Sequence, residues 1–200
     1  LIGVFHFLFI KKSSILVAIP KLSFKDKADL AMLIAAAGLI LYPMMMAYAA
    51  SSDLLTMKIP NKLTLALAVT YFVMAVATGQ SMNTILVHVA CAILMLLLTF
   101  AMFSAGWMGG GDAKLAAATT LWIGFPLTLE YALASSFLGG ALTLALLAAR
   151  SRPLPDFMMR QKWIAHLHEK TTGIPYGIAL ATGGLLLYPQ TDIWISLSRM

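Results

Sequence analysis

Among the side chains of this sequence, two aspartates have the type and setting that chemistry could use. Between Leu30 and Arg150 there are three acidic residues, Asp53, Asp112 and Glu130, each set in a strongly apolar stretch. An ionisable group there is a functional candidate, because an unpaired charge in apolar surroundings is expensive to keep. Asp53 stands in Ser51-Ser52-Asp53-Leu54-Leu55-Thr56-Met57-Lys58-Ile59-Pro60-Asn61, and Asp112 in Met108-Gly109-Gly110-Gly111-Asp112-Ala113-Lys114. Two carboxyls about 3 Å apart cannot both ionise, so they share a proton: one can take a proton from water while the other donates to a carbonyl. The chemistry this permits is hydrolysis of a peptide bond by water. The glycines before Asp112 carry no side chain, which leaves room for a substrate backbone and allows positive φ.

Each aspartate also has a plain structural use. Asp112, after a glycine turn, suits a helix N-cap; Asp53 could pair with Lys58; either could belong to a proton or cation path. Glu130 reads as an interfacial residue. His6, His88, His166 and His168 share no ligand spacing, and the last two, two residues apart, do not share a helical face. Cys91 is the single cysteine and lies in an apolar run, so neither a disulfide nor a CxxC zinc pair is available. No metal and no cofactor is expected.

The elements that must position these residues follow from composition. With 60% hydrophobic and 11% charged residues in 200, and a mean hydropathy of +0.87, there is too little charge for a water-facing surface, since soluble domains carry about 25%. The expectation is an all-α polytopic membrane protein, a bundle of about six helices near 29–50, 63–78, 84–105, 112–124, 127–149 and 174–195. Pro43 predicts a kink, Gly79 to Asn83 a tight turn, and Gly124-Phe125-Pro126 a break. Met44, Met45 and Met46 read as apolar packing.

Residues 1–28 are read as an N-terminal extension and 29–198 as one membrane domain. Leu1 to Ile10 is apolar, but Lys11 and Lys12 follow without a small-residue cleavage site, so it is not read as a signal peptide. The net charge of +6 is carried at the ends of apolar segments, which points to membrane orientation and excludes a nucleic-acid groove. Lys58, Lys62, Lys114, Arg150, Arg152, Arg160, Lys162 and Lys170 fall on one side, which is therefore cytoplasmic and holds both aspartates. Lys11, Lys12, Lys21, Lys25 and Lys27 fall on the other side, against the rule. The basic connection 150–173 includes Phe157, Met158, Met159, Trp163 and Ile164, as an amphipathic segment on anionic lipid would.

Three motifs then match one family. Gly109-Gly110-Gly111-Asp112-Ala113-Lys114-Leu115 resembles the GxGDxKL form of type IV prepilin peptidases, Asp53 with Ile59-Pro60-Asn61 resembles their first aspartate motif, and Ile174-Pro175-Tyr176-Gly177 resembles their PYG segment. The paired CxxC segment of the larger, N-methylating members is missing, so the chain is similar to the short CpaA- or TadV-like branch that serves tight-adherence (Flp) pili. The resemblance implies a bacterial inner-membrane aspartyl endopeptidase, facing the cytoplasm, that removes the leader of prepilins or pseudopilins. It implies Asp53 and Asp112 as the dyad, with Pro60, Asn61, Gly109, Gly110, Gly111 and Lys114 shaping the site and Pro175, Tyr176 and Gly177 lining the substrate channel. The competing class is a small transporter component using the same aspartates.

Overall fold

A computed structural model describes residues 24–199. His6, the apolar start, and Lys11, Lys12 and Lys21 of the extension lie outside the described residues. Among those described there is no strand, and the elements in order are α1 (Phe24–Thr56), α2 (Asn61–Ala77), α3 (Met82–Ser104), α4 (Gly110–Arg150), α5 (Asp156–Met159), α6 (Lys162–His168), α7 (Tyr176–Leu187), a 3-10 turn (Tyr188–Gln190) and α8 (Asp192–Leu197). Three segments are long and apolar enough to cross a membrane, Met32–Thr56, Met82–Ser104 and Gly110–Arg150. The protein is a polytopic all-α membrane protein.

Helix α1 is longer than expected and contains Asp53 in its final turns instead of releasing it into a loop. Its polar residues do not break it because their hydroxyls bond back one turn: Ser51 Oγ donates to Ala47 O at 2.8 Å and Thr56 Oγ1 to Ser52 O at 2.7 Å. The turn between α2 and α3 has Gly79 at φ 70°, and Ser81 caps α3 by accepting from Thr84 N.

Helix α4 spans 41 residues but carries one non-helical residue, Gly124, at φ 74° and ψ 177°. Thr119 and Ser135 would lie about 24 Å apart along an unbroken helix, yet they contact the adjacent Gly184 and Gly183 of α7. The chain therefore doubles back at Gly124, and α4 is two antiparallel segments, α4a (110–123) and α4b (125–150). A Cβ at Gly124 would collide with the His88 imidazole. His88, buried in α3, has Nδ1 2.9 Å from Leu121 O; since a carbonyl only accepts, Nδ1 carries the proton. The expected break is thus a glycine turn clamped by a histidine.

The final helix is not the single element expected over 174–195. It ends at Leu187, passes through the 3-10 turn at Pro189, and restarts as α8 behind Thr191, whose Oγ1 accepts from Trp194 N at 3.3 Å. Leu197 returns to pack on Gly38 of α1.

Outward faces are as apolar as the interior: Leu65, Leu97, Phe137 and Leu144 are among many exposed large side chains, as a lipid-facing surface requires. Inside, Tyr42, Tyr71, Trp122 and Tyr188 are buried, with Tyr42 stacked on Tyr188 at 4.3 Å between ring centroids. Two of their polar ends find backbone partners, Trp122 Nε1 donating to Leu67 O at 2.8 Å and Tyr188 Oη to Gly38 O at 2.8 Å, while Tyr71 Oη reaches the Gln80 side chain at 3.4 Å and Tyr42 Oη has no hydrogen-bond partner among the described residues. Met46 and Cys91 are buried apolar fillers.

The basic connection is folded onto the protein. Arg150 is buried, donating from Nε to Leu167 O at 2.8 Å and from Nη2 to Gly173 O at 2.9 Å. Met158, Trp163 and Ile164 share a small cavity with Leu146 and Ala149 of α4b, while Phe157 stays exposed. Only part of the amphipathic segment is therefore free to meet lipid.

Gly124→Ala should destabilise the protein by more than about 2 kcal/mol, from left-handed backbone strain plus overpacking. In detergent unfolding experiments the double variant with His88→Ala should recover the steric part alone, giving a non-additive cycle.

Candidate active site

Asp53 reaches the site from the last turns of α1, and Asp112 from the first turn of α4a, whose N-cap is Gly109. Both are buried, and both line one cavity of 740 Å³ together with Ser52, Thr56, the 57–61 connection and Gly109 to Gly111. The helix starts and the carboxyls stand at the end of the bundle that carries Lys58, Lys62, Lys114 and the basic connection after Arg150. Glu130 is exposed and takes no part in the cavity.

Asp53 Oδ2 accepts a hydrogen bond from Gly177 N at 2.7 Å. That amide belongs to the first turn of α7, where helix geometry leaves N–H groups without internal partners. A negative charge at this end of a helix is also favoured by the macrodipole. The contact is possible because residue 177 is glycine: a Cβ there would stand 2.7 Å from Asp53 Oδ2 and 2.8 Å from Ile59 Cδ1.

The glycines before Asp112 work the same way. A Cβ on Gly111 would lie 3.2 Å from Ile59 Cβ, one on Gly110 3.3 Å from the Phe103 ring, and one on Gly109 3.0 Å from Asp112 Oδ2. Positive φ is not their reason. Gly109 has φ −74°, and the positive-φ glycines among the described residues are Gly79, Gly106 and Gly124. Their demand is close approach by the protein's own groups. Ile59 thus sits between Gly111 of α4a and Gly177 of α7, and the connection carrying it wedges between the two helix starts.

That connection is held by residues not singled out in the sequence. Ser52 Oγ donates to Lys58 O at 2.8 Å, Thr56 Oγ1 also reaches Lys58 O at 3.3 Å, and Met57 turns the chain at φ 53°. A non-glycine residue in that region is uncommon, and here it forms part of the cavity wall. The hydroxyls flanking Asp53 were the available signal: Ser and Thr near a helix end commonly bond to nearby backbone.

The other motif residues divide. Pro60 starts α2 as its N-cap and lines the cavity with Asn61. Lys114 Nζ donates to Asn61 Oδ1 at 2.9 Å on the exposed side, so it shapes the rim and does not pair with Asp112. Pro175 is the N-cap of α7. Tyr176 packs on Gly139 of α4b, and its hydroxyl lies 3.1 Å from Thr143 Oγ1; neither Pro175 nor Tyr176 is in the cavity wall, whereas Gly177 meets Asp53 directly. Among the described residues no group of three His, Cys, Asp or Glu side chains is placed to hold a metal ion.

Gly177→Ala should lower thermal stability in detergent by about 1–3 kcal/mol through overpacking. Gly173→Ala, where a Cβ would meet nothing within 4 Å, should leave the melting temperature within about 1 °C, a surface change being worth little.

Two buried carboxyls in one open cavity, presented by facing helix ends, suit acid–base chemistry on a peptide bond. No curated protein and no solved structure matches the chain. Compared with protein families, residues 29–144 match the type IV leader peptidase family, more than half of the 200 residues, and the chain therefore belongs to that family.

Proposed function

We propose that the protein is an intramembrane aspartyl endopeptidase that removes the leader from Flp-type prepilins at the cytoplasmic face of the bacterial inner membrane. The observation that carries the reading is the shared cavity: Asp53 and Asp112, carried by two different helices, open into the same 740 Å³ space. In it a water between the carboxyls loses a proton to the ionised member. The resulting hydroxide attacks the scissile carbonyl, and the protonated member donates to the carbonyl oxygen. The tetrahedral adduct then collapses: one of its hydroxyls returns a proton to the ionised carboxyl as the C–N bond breaks, and the leaving amine takes a proton from the other carboxyl, so the pair ends with the single proton it began with. One carboxyl pair alternates acid and base roles, so the sum is peptide plus water giving a carboxylic acid and an amine.

Support for the cytoplasmic side comes from charge. The connections bearing Lys58, Lys62, Arg150, Arg152, Arg160, Lys162 and Lys170 share the bundle end with the pair, and basic loops face the cytoplasm. Support for an Flp-type prepilin comes from the motifs and from the single cysteine, which leaves no CxxC segment in this sequence. Membership in a leader peptidase family leaves the ion-path reading without support.

Asp53→Asn and Asp112→Asn each test the dyad. An Asn oxygen at position 53 can still accept from Gly177 N, so that variant should insert and melt near the unsubstituted protein, whereas cleavage of a co-expressed precursor should fall by roughly 10²–10⁴-fold or more. Normal trimming by either variant in a gel-shift assay would exclude the proposal. The kcat/KM profile should be bell-shaped in pH, because one proton must reside on the pair.

A further inference from the structure

Asp53 and Asp112 line one cavity, but the protein treats the two carboxyls differently. Asp53 Oδ2 accepts from Gly177 N at 2.7 Å, which leaves Oδ1 for a molecule in the cavity. Asp112 turns Oδ2 back over Gly109, its own N-cap. The Gly109 amide faces it, yet among the described residues Asp53 is the member of the pair that completes a hydrogen bond. Each carboxyl stands at a helix start, Asp53 against α7 and Asp112 within α4a, so the two macrodipoles favour charge on both alike. Cations do not choose between them either. Among the described residues neither carboxyl has an ion-pair partner, the pair formed being His166 with Glu169. Lys58 and Lys62 are exposed, and Lys114 is engaged with Asn61 on the outer side. The difference is the Gly177 amide.

We infer that this amide fixes the polarity of the dyad: Asp53 holds the negative charge and acts as base, Asp112 holds the shared proton and acts as acid, and Gly177 is a positioning residue. The inference rests on the peptidase reading and assigns within it the two roles that a symmetrical pair leaves open. A hydrogen bond to a charged acceptor is about twice as strong as one to a neutral acceptor, and a carboxyl that keeps its proton gives up that difference. With one proton between two carboxyls, the arrangement that leaves Asp53 charged is therefore the more populated. A water on the α1 side gives its proton to Asp53 Oδ1 while its oxygen bonds to the scissile carbon. The carbonyl π pair moves to the carbonyl oxygen, which takes the Asp112 proton on the side lined by Gly109 to Gly111.

Two reagents read the charge directly. An epoxide is opened by an ionised carboxylate, whereas a diazoacetyl ester with Cu(II) esterifies a protonated carboxyl. On the unsubstituted protein in detergent, peptide mapping by mass spectrometry should place the epoxide adduct on Asp53 and the diazo-derived ester on Asp112, and either adduct should abolish trimming of a precursor. In Gly177→Ala the added Cβ drives Asp53 Oδ2 off the amide. The ratio of epoxide adduct on Asp53 to that on Asp112 should then fall at least about tenfold, the worth of one hydrogen bond to a charged group. Gly173→Ala should leave the ratio within about twofold. Reversed placement, or an unmoved ratio in Gly177→Ala, while both adducts abolish trimming, would overturn the polarity and leave the dyad standing. Trimming that survives both adducts would overturn the dyad and its polarity together. Should Gly177→Ala not fold, the placement on the unsubstituted protein decides.

Discussion

A carboxylate pressed between helices must be given a donor, and the Gly177 amide, 2.7 Å from Asp53 Oδ2, supplies one. The bond meets two demands at once, because an amide in the first turn of a helix needs an acceptor as much as a desolvated carboxylate needs a donor. It also fixes how closely α1 and α7 approach, and so where Ile59 can sit. With Ile59 wedged against Gly111 and Gly177, the start of α4a is brought to the same level as the end of α1. The shared cavity of the two aspartates is thus a packing result of two glycines and one isoleucine.

Several other groups of the bundle follow the same rule, that polar groups need internal partners where water is scarce, the buried Tyr42 hydroxyl being an exception among the described residues. Trp122 and Tyr188 each spend their polar atom on a backbone carbonyl, tying α4a to α2 and the chain after α7 to α1. His88 does so at the Gly124 reversal, and Arg150 closes the basic connection with two carbonyls. These contacts join elements far apart in the chain, which general apolarity alone would leave free to slide.

Much of this was legible in the residues. Hydropathy located the helices, Gly124-Phe125-Pro126 marked the reversal between α4a and α4b, and the motifs named the aspartates. Helix ends were less legible. Ser51 and Thr56 look like loop formers, but back-bonding kept them helical and carried Asp53 into α1; Pro189 and Thr191 end one helix and cap another, with the polar run Gln190-Thr191-Asp192 as the signal for it. The use of Gly109 to Gly111 was hidden for a different reason: a glycine shows that space is needed, while which group fills it, here Ile59, Phe103 or the carboxylate of Asp112, depends on tertiary packing. Tyr176, adjacent to Gly177, turns to Gly139 and Thr143 for the same cause, since neighbouring residues on a helix point about 100° apart.

The reversal at Gly124 leaves unequal segments. At 14 residues, 110 to 123, α4a is about 21 Å long, against a hydrocarbon thickness of about 30 Å. Its antiparallel partner α4b reaches about 39 Å over residues 125 to 150 and continues past the level of Tyr176. Asp112, in the first turn of α4a, therefore stands short of the level that α4b reaches at Arg150.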